Sequence, residues 1–203
     1  MHEPPFLIYL HGFNSSPLSE KAQITARYVQ QVMPDVEIWI PQLPHSLEAL
    51  QAMLVPVVEE RIKYSPVYLI GSSLGGFIGT WLQNHLLTFY PESQVRLALL
   101  NPAVRPWELL PDYVGKHVNS YTGEEWVLTM EEVDYLHNMV VGSLIDPASV
   151  LLLVQKGDET LDYQQALDFY AECPFVVQED GSHAFDRYEQ LLPVICDFLQ
   201  QGC

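Results

Sequence analysis

Three observations predict an α/β protein with a mostly parallel central sheet and helices on both of its faces. Apolar runs of strand length alternate along the chain with longer helical stretches. Runs such as Val67-Tyr68-Leu69-Ile70 are apolar at every position, as a central strand covered on both faces requires. A length of 203 residues, 48% of them hydrophobic, suits one domain whose core can stand without metals or disulfides.

Phe6 to Leu10 is the first strand, ending at His11-Gly12. Ser16-Pro17 reads as a helix start with Pro at the first helical position, and that helix runs to about Met33-Pro34. Val36 to Ile40 is the next strand, stopped by Pro41 and Pro44. Ser46 then caps a helix from Leu47 to about Lys63. Val67 to Ile70 is a strand bounded by Gly71, Leu74 to Phe89 a helix, and Arg96 to Leu100 a strand ended by Asn101-Pro102. From Arg105 to about Ala148 no strand-like run appears, aromatic residues accumulate, and between His117 and Gln155 there is no Lys or Arg. This reads as a small, mostly helical, cap-like insertion at about 105–148 over one end of the sheet, within a single domain spanning 1–203. Val150 to Gln155 resumes the sheet, Tyr163 to Tyr170 is a helix and Phe175 to Val177 the last strand. Asp186-Arg187-Tyr188-Glu189 opens the closing helix with a capping-box-like pattern.

The chain carries 26 acidic and 9 basic residues, a formal net charge of −17. No Lys/Arg cluster is available to neutralise phosphates, which argues against a nucleic-acid binder and against docking on an anionic membrane. Aromatics at 11% exclude a disordered acidic tail. The N-terminus has no basic region ahead of an apolar stretch, and no window holds eighteen unbroken apolar residues, so neither a signal peptide nor membrane insertion is expected. Cys173, Cys196 and Cys203 show no metal or redox spacing; an odd count without a signal peptide suggests reduced thiols in the cytoplasm.

The strongest local signal is Gly71-Ser72-Ser73-Leu74-Gly75, a G-x-S-x-G pentapeptide between a predicted strand and a predicted helix. Such a nucleophile needs a tight turn that pushes the middle Ser forward, and flanking glycines remove side chains that would collide there. A Gly-rich turn with a Ser cap is the bland alternative. A phosphate-binding loop would need Lys-Ser/Thr after the glycines, where Phe77-Ile78 stands.

A nucleophilic Ser73 needs a base, and the base an orienting acid. His183, directly after the last predicted strand, fits the base, because a loop there reaches the sheet edge that carries Ser73. The acid should follow Val150 to Gln155, where Asp158 and Asp162 both stand. Asp162 has a competing task as cap of the next helix, with Gln165 three residues on, so Asp158 is favoured and Asp162 kept as the alternative; Glu159 is expected to point away. The backbone N–H groups of Leu74 and Phe13 are the expected oxyanion donors, with His11 bracing the second loop.

Together these residues resemble the α/β-hydrolase superfamily, and more narrowly the small bacterial YqiA-type esterases. The similarity rests on His11-Gly12-Phe13-Asn14-Ser15-Ser16-Pro17, Pro41-Gln42-Leu43-Pro44, Gly71 to Gly76, Asn101 to Pro106, Tyr121-Thr122-Gly123, Gly157-Asp158 with Leu161-Asp162-Tyr163, and His183-Ala184-Phe185. The resemblance implies an α/β-hydrolase fold, Ser73 as nucleophile, Asp158 as acid, His183 as base, hydrolysis of acyl esters or thioesters, and no cofactor or metal. One departure is Asp180-Gly181-Ser182, where Gly-Gly-Asn is expected, which brings an extra carboxylate towards the His loop.

Trp107, Leu109, Leu110 and Trp126 are candidates to roof an apolar acyl pocket with Phe13 and Phe185 as walls; the alternative is that the insertion's residues only pack it onto the sheet. The expected partner is a small or medium neutral acyl ester. Lactonase, peptidase or lipid-directed chemistry on the same triad, and a non-catalytic binding protein on the same fold, are the competing readings.

Overall fold

The computed structural model describes residues 3–201. Cys203, read above as a reduced thiol, lies outside the described residues, as does His2. Six parallel strands form the central sheet: β1 (Phe6–Leu10), β2 (Glu37–Trp39), β3 (Val67–Ser72), β4 (Val95–Leu100), β7 (Val150–Gln155) and β8 (Phe175–Gln178), in the order β2-β1-β3-β4-β7-β8. Successive side chains leave a strand on opposite faces. Phe6, Ile8 and Leu10 of β1 therefore join one core layer, with α2 (Leu47–Arg61) and α3 (Leu74–Phe89), while Leu7 and Tyr9 join the other, with α1 (Glu20–Val32) and α7 (Leu192–Leu199). Both layers are apolar, which is why the strands read as unbroken apolar runs.

Strand order reverses between β1 and β3. At such a switch point the loops leaving the carboxyl ends of neighbouring strands turn to opposite faces and leave a crevice. Here those loops are His11–Ser15 and the turn at Ser73.

Helix starts depart from the sequence reading at two places. α1 begins at Glu20, because the Ser16 hydroxyl accepts the Leu18 N–H and spends Pro17 in a turn. α7 begins at Leu192, not Asp186: Asp186 is bound to Ser182 and Gln155, and Arg187 sits at φ 58° in the left-handed region, which no helix tolerates.

Between β4 and β7 lie α4 (Pro106–Leu109), α5 (Met130–Tyr135), three short 3-10 turns, and an antiparallel pair, β5 (Gly115–Val118) with β6 (Glu125–Leu128). The helices agree with the sequence expectation; the hairpin was not anticipated. Each of its strands has four residues, and only alternate ones, among them His117 and Trp126, face inward, so no apolar run betrays them. Leu110, Leu128, Val133 and Leu136 of this segment join the core layer of α2 and α3. Among the described residues no helix is long and apolar enough to cross a membrane.

Candidate active site

The turn from β3 into α3 forces Ser73 to φ 55°, ψ −121°, a conformation an L-residue avoids unless its surroundings impose it. The imposition is steric. A Cβ at position 75 would lie 2.1 Å from the Leu10 carbonyl oxygen, so only glycine lets α3 start this close to β1. The Ser73 N–H donates to the Leu100 carbonyl (3.1 Å) and its own carbonyl accepts from Gly76 and Ala103, which fixes the turn from both sides.

Ser73 Oγ lies 3.0 Å from His183 Nε2. The other ring nitrogen, Nδ1, lies 2.8 Å from Asp158 Oδ2. Asp158 Oδ1 also accepts the N–H groups of Thr160 and Leu161 at 2.8 Å each. The Asp158 side chain is 1% exposed and that of His183 24%, so the carboxylate is shut in while the imidazole faces the groove. Asp162 does not enter this chain of contacts. It caps α6 (Tyr163–Phe169), accepting the Gln164 N–H at 2.9 Å.

The amides of Phe13 and Leu74 have no acceptor among the described residues. Leu74 is the first residue of α3, at the positive end of its dipole. His11 braces the neighbouring loop: its Nε2 accepts the Leu43 N–H at 3.1 Å and its Nδ1 faces the Gly12 carbonyl at 3.0 Å. Burial lowers its pKa, and accepting through Nε2 requires the neutral ring.

Sequence reasoning missed how the His183 loop is held. The Gln155 side chain, fully buried at the end of β7, accepts the N–H groups of Ser182 (3.0 Å) and Asp186 (2.9 Å) and donates to the Asp186 carbonyl (2.7 Å). Asn101 at the end of β4 donates to the Ser182 carbonyl at 3.0 Å, and Lys21 of α1 to the Ala184 carbonyl at 2.8 Å. Glu159, expected to point away, turns inward and accepts the His183 N–H at 3.0 Å. That bond holds the Glu159 carboxyl below its usual range, and burial lowers the pKa of Lys21. Gly181 is required beneath this knot: a Cβ there would meet Gln155 Oε1 at 2.1 Å. Asp180, the unexpected carboxylate, is paired with Arg187 on the exposed side. The polar residues at the strand ends, Asn101 and Gln155, were the available signal.

Above Ser73 opens a groove of about 510 Å³, lined among others by Phe13, Leu74, Leu109, Leu110 and Tyr113. A smaller apolar cavity of about 50 Å³ continues past Phe13 and Leu74, walled by Leu43, Leu50, Ile78 and Trp126. Two expected lining residues are elsewhere. Phe185 is 3% exposed and packs on Tyr188 in the opposite core layer, because its positive φ of 67° turns it from the groove into the core. Trp107 lines a separate pocket with Phe77 and Phe169. Phe13 and Trp126 do border the site, in contact with one another at 5.3 Å between ring centres. Among the described residues no group of three or more His, Cys, Asp or Glu is placed to hold a metal ion. Burial pushes the Cys173 and Cys196 thiols up to about 11, away from thiolate chemistry.

Residues 6–200 match the model of a family described as Uncharacterised protein family (UPF0227), and the chain belongs to that family. Its fold is that of the α/β hydrolases. Solved structures similar to it include a protein of Agrobacterium vitis S4 (TM-score 0.75, 19% identity, 98% of this chain and 89% of that one). Est1E from Butyrivibrio proteoclasticus matches with TM-score 0.70 at 16% identity over 98% of this chain and 88% of that one. Alpha/beta hydrolase domain-containing protein 10 from mouse matches with TM-score 0.70 at 17% identity over 98% and 91%.

Proposed function

We propose that this member of the UPF0227 family is a serine esterase that cleaves short-chain acyl esters through a covalent acyl-enzyme, acting as one domain with segment 105–148 as its cap. The observation that carries the reading is the unbroken line of contacts from Ser73 Oγ through His183 to the enclosed Asp158, at the floor of an open groove. In this mechanism His183 Nε2 takes the Ser73 proton as Oγ attacks the acyl carbonyl. Asp158 holds Nδ1–H and so keeps Nε2 free to accept. The unpaired amides of Phe13 and Leu74 receive the oxyanion. His183 then returns the proton to the leaving oxygen, and water releases the acid by the same route.

The acyl group lies on the side away from His183, where Phe13 and Leu74 open into the small apolar cavity. The cavity is apolar and much smaller than the groove it adjoins. That favours acetyl to butyryl chains over fatty acyl groups. A thioester would use the same steps. A pure binding role is disfavoured because it would not require Ser73 to be held at a strained φ against a base.

Fluorophosphonate labelling with peptide mapping tests the reading. An adduct on Ser73 that disappears in His183→Ala is expected, and Ser73→Ala should lower kcat on p-nitrophenyl acetate by on the order of 10⁶. Folded protein that takes no label would overturn it.

A further inference from the structure

The groove is divided in chemical character. Its end beyond Phe13 and Leu74 is apolar, whereas the end beside the His183 loop is bordered by Ser19, Glu20, Lys21, Glu159 and Thr160. We propose that the alcohol half of the substrate is a neutral polyhydroxylated group, glycerol-like or sugar-like, seated on the N-terminus of α1. The inference rests on the esterase reading, in which His183 protonates the leaving oxygen and so fixes the alcohol on its own side. Lys21, bonded to the Ala184 carbonyl next to His183, marks that side as the α1 side.

Ser19 is the decisive residue. It occupies the N-cap of a 13-residue helix, where a serine ordinarily accepts a first-turn N–H, yet its side chain makes no capping bond. It is 8% exposed, lines the groove, and its hydroxyl has no partner among the described residues. This hydroxyl is open to the groove and free of such partners, so it can meet a ligand atom or a displaceable water. Beside it the first-turn amides of α1 lack intrahelical acceptors, and the Lys21 ammonium has spent one of its three donors on Ala184. Acceptors stand close by, in the carboxylates of Glu20 and Glu159.

Mixed donors and acceptors select the ligand. An alkyl alcohol would dry these groups without replacing their hydrogen bonds, which specificity pockets reject strongly. An anionic alcohol would meet Glu20 and Glu159, with Asp158 behind them, against a single Lys21. A hydroxylated neutral group answers both sets, and the ring of Tyr121 on the groove wall offers its carbon face a platform.

The test is a matched series of butyrates on the full chain: n-butyl butyrate, glyceryl monobutyrate, a glucose monobutyrate and the butyrate of glycerol phosphate. The glyceryl and glucose esters should exceed the n-butyl ester in kcat/KM by ~10-fold or more, with the phosphorylated ester below them. Ser19→Ala should shrink that ratio at least several-fold, with Tm measured to exclude loss of α1. An n-butyl ester turned over equally well overturns the proposal, as does a phosphorylated ester turned over best, or a ratio that Ser19→Ala leaves unchanged in folded protein. Inactivity towards all four esters would instead strike the esterase reading on which the proposal stands.

Discussion

The loop carrying His183 and the hairpin β5–β6 both border the groove, and they are held in opposite ways. The loop has no regular structure, yet its backbone is gripped by side chains rooted in the sheet: Gln155 on β7 and Asn101 at the end of β4, joined by Glu159 and by Lys21 of α1. The hairpin has its own ladder, but leans on another loop. Asn14 accepts the Trp126 indole N–H (2.9 Å) and donates to the Val118 carbonyl (3.1 Å), and Asn119 donates to the Ser15 carbonyl (2.8 Å). Trp126 is further stacked on the rings of His45 and His117. Val118 and Val127 on its outer side stay exposed. Regular hydrogen bonding and accurate placement are therefore separate properties. A side chain proposed as general base has to be placed, and two of the groups that place it, Gln155 and Asn101, are themselves buried.

The contrast can be broken at the Gln155 side chain with the largest effect. Gln155→Leu leaves three partly buried backbone groups of the loop without that partner, so a stability loss of about 2 kcal/mol is expected in denaturant titration, together with a collapse of kcat. Glu159→Ala comes next. It frees the His183 amide at the exposed rim, and a base displaced by a fraction of an ångström should cost on the order of 10-fold in kcat with Tm little changed; Glu159→Gln, which still accepts that N–H, should recover most of it. Asn14→Ala should act more weakly and on the other side of the comparison, raising KM a few-fold for short esters and leaving the rate of Ser73 labelling close to normal. An equal loss of labelling in Asn14→Ala would erase the distinction.

The smallest effect is a pH slope. His11 braces the loop on which the hairpin leans, and burial holds its folded pKa below the unfolded ~6.5. Over that window the unfolded chain binds more protons, so stability falls as pH drops below about 6.5 and levels off once the folded pKa is passed. Thermal melts between pH 7 and 5 should show the decline, reduced in His11→Asn.

What was legible in the sequence follows the same division. β7, α2's start and the whole of α3 coincide with the sequence reading, because continuous apolar runs and a Ser cap are local signals. Ser73, Asp158 and His183, separated by up to 110 residues, meet as their motifs suggested, since each stands at the carboxyl end of a recognisable strand. The hairpin left no signal in four-residue strands. The role of Asp186 was misread because its partners, Ser182 and Gln155, are tertiary. Glu159 and Phe185 were assigned the wrong direction for a related reason: side-chain direction in a loop depends on individual φ values, such as 67° at Phe185, that composition does not encode.

The position of β3 within the sheet has a consequence for how the molecule opens. It has hydrogen-bonded strands on both edges and apolar layers on both faces, so its amides exchange with solvent only when the whole domain unfolds, whereas the two-stranded hairpin exchanges through local opening. Thermal fluctuation thus erodes the walls of the groove long before it reaches the serine. On the esterase reading, a warmed or mildly denatured population should lose its discrimination between substrates before it loses the strand that carries Ser73.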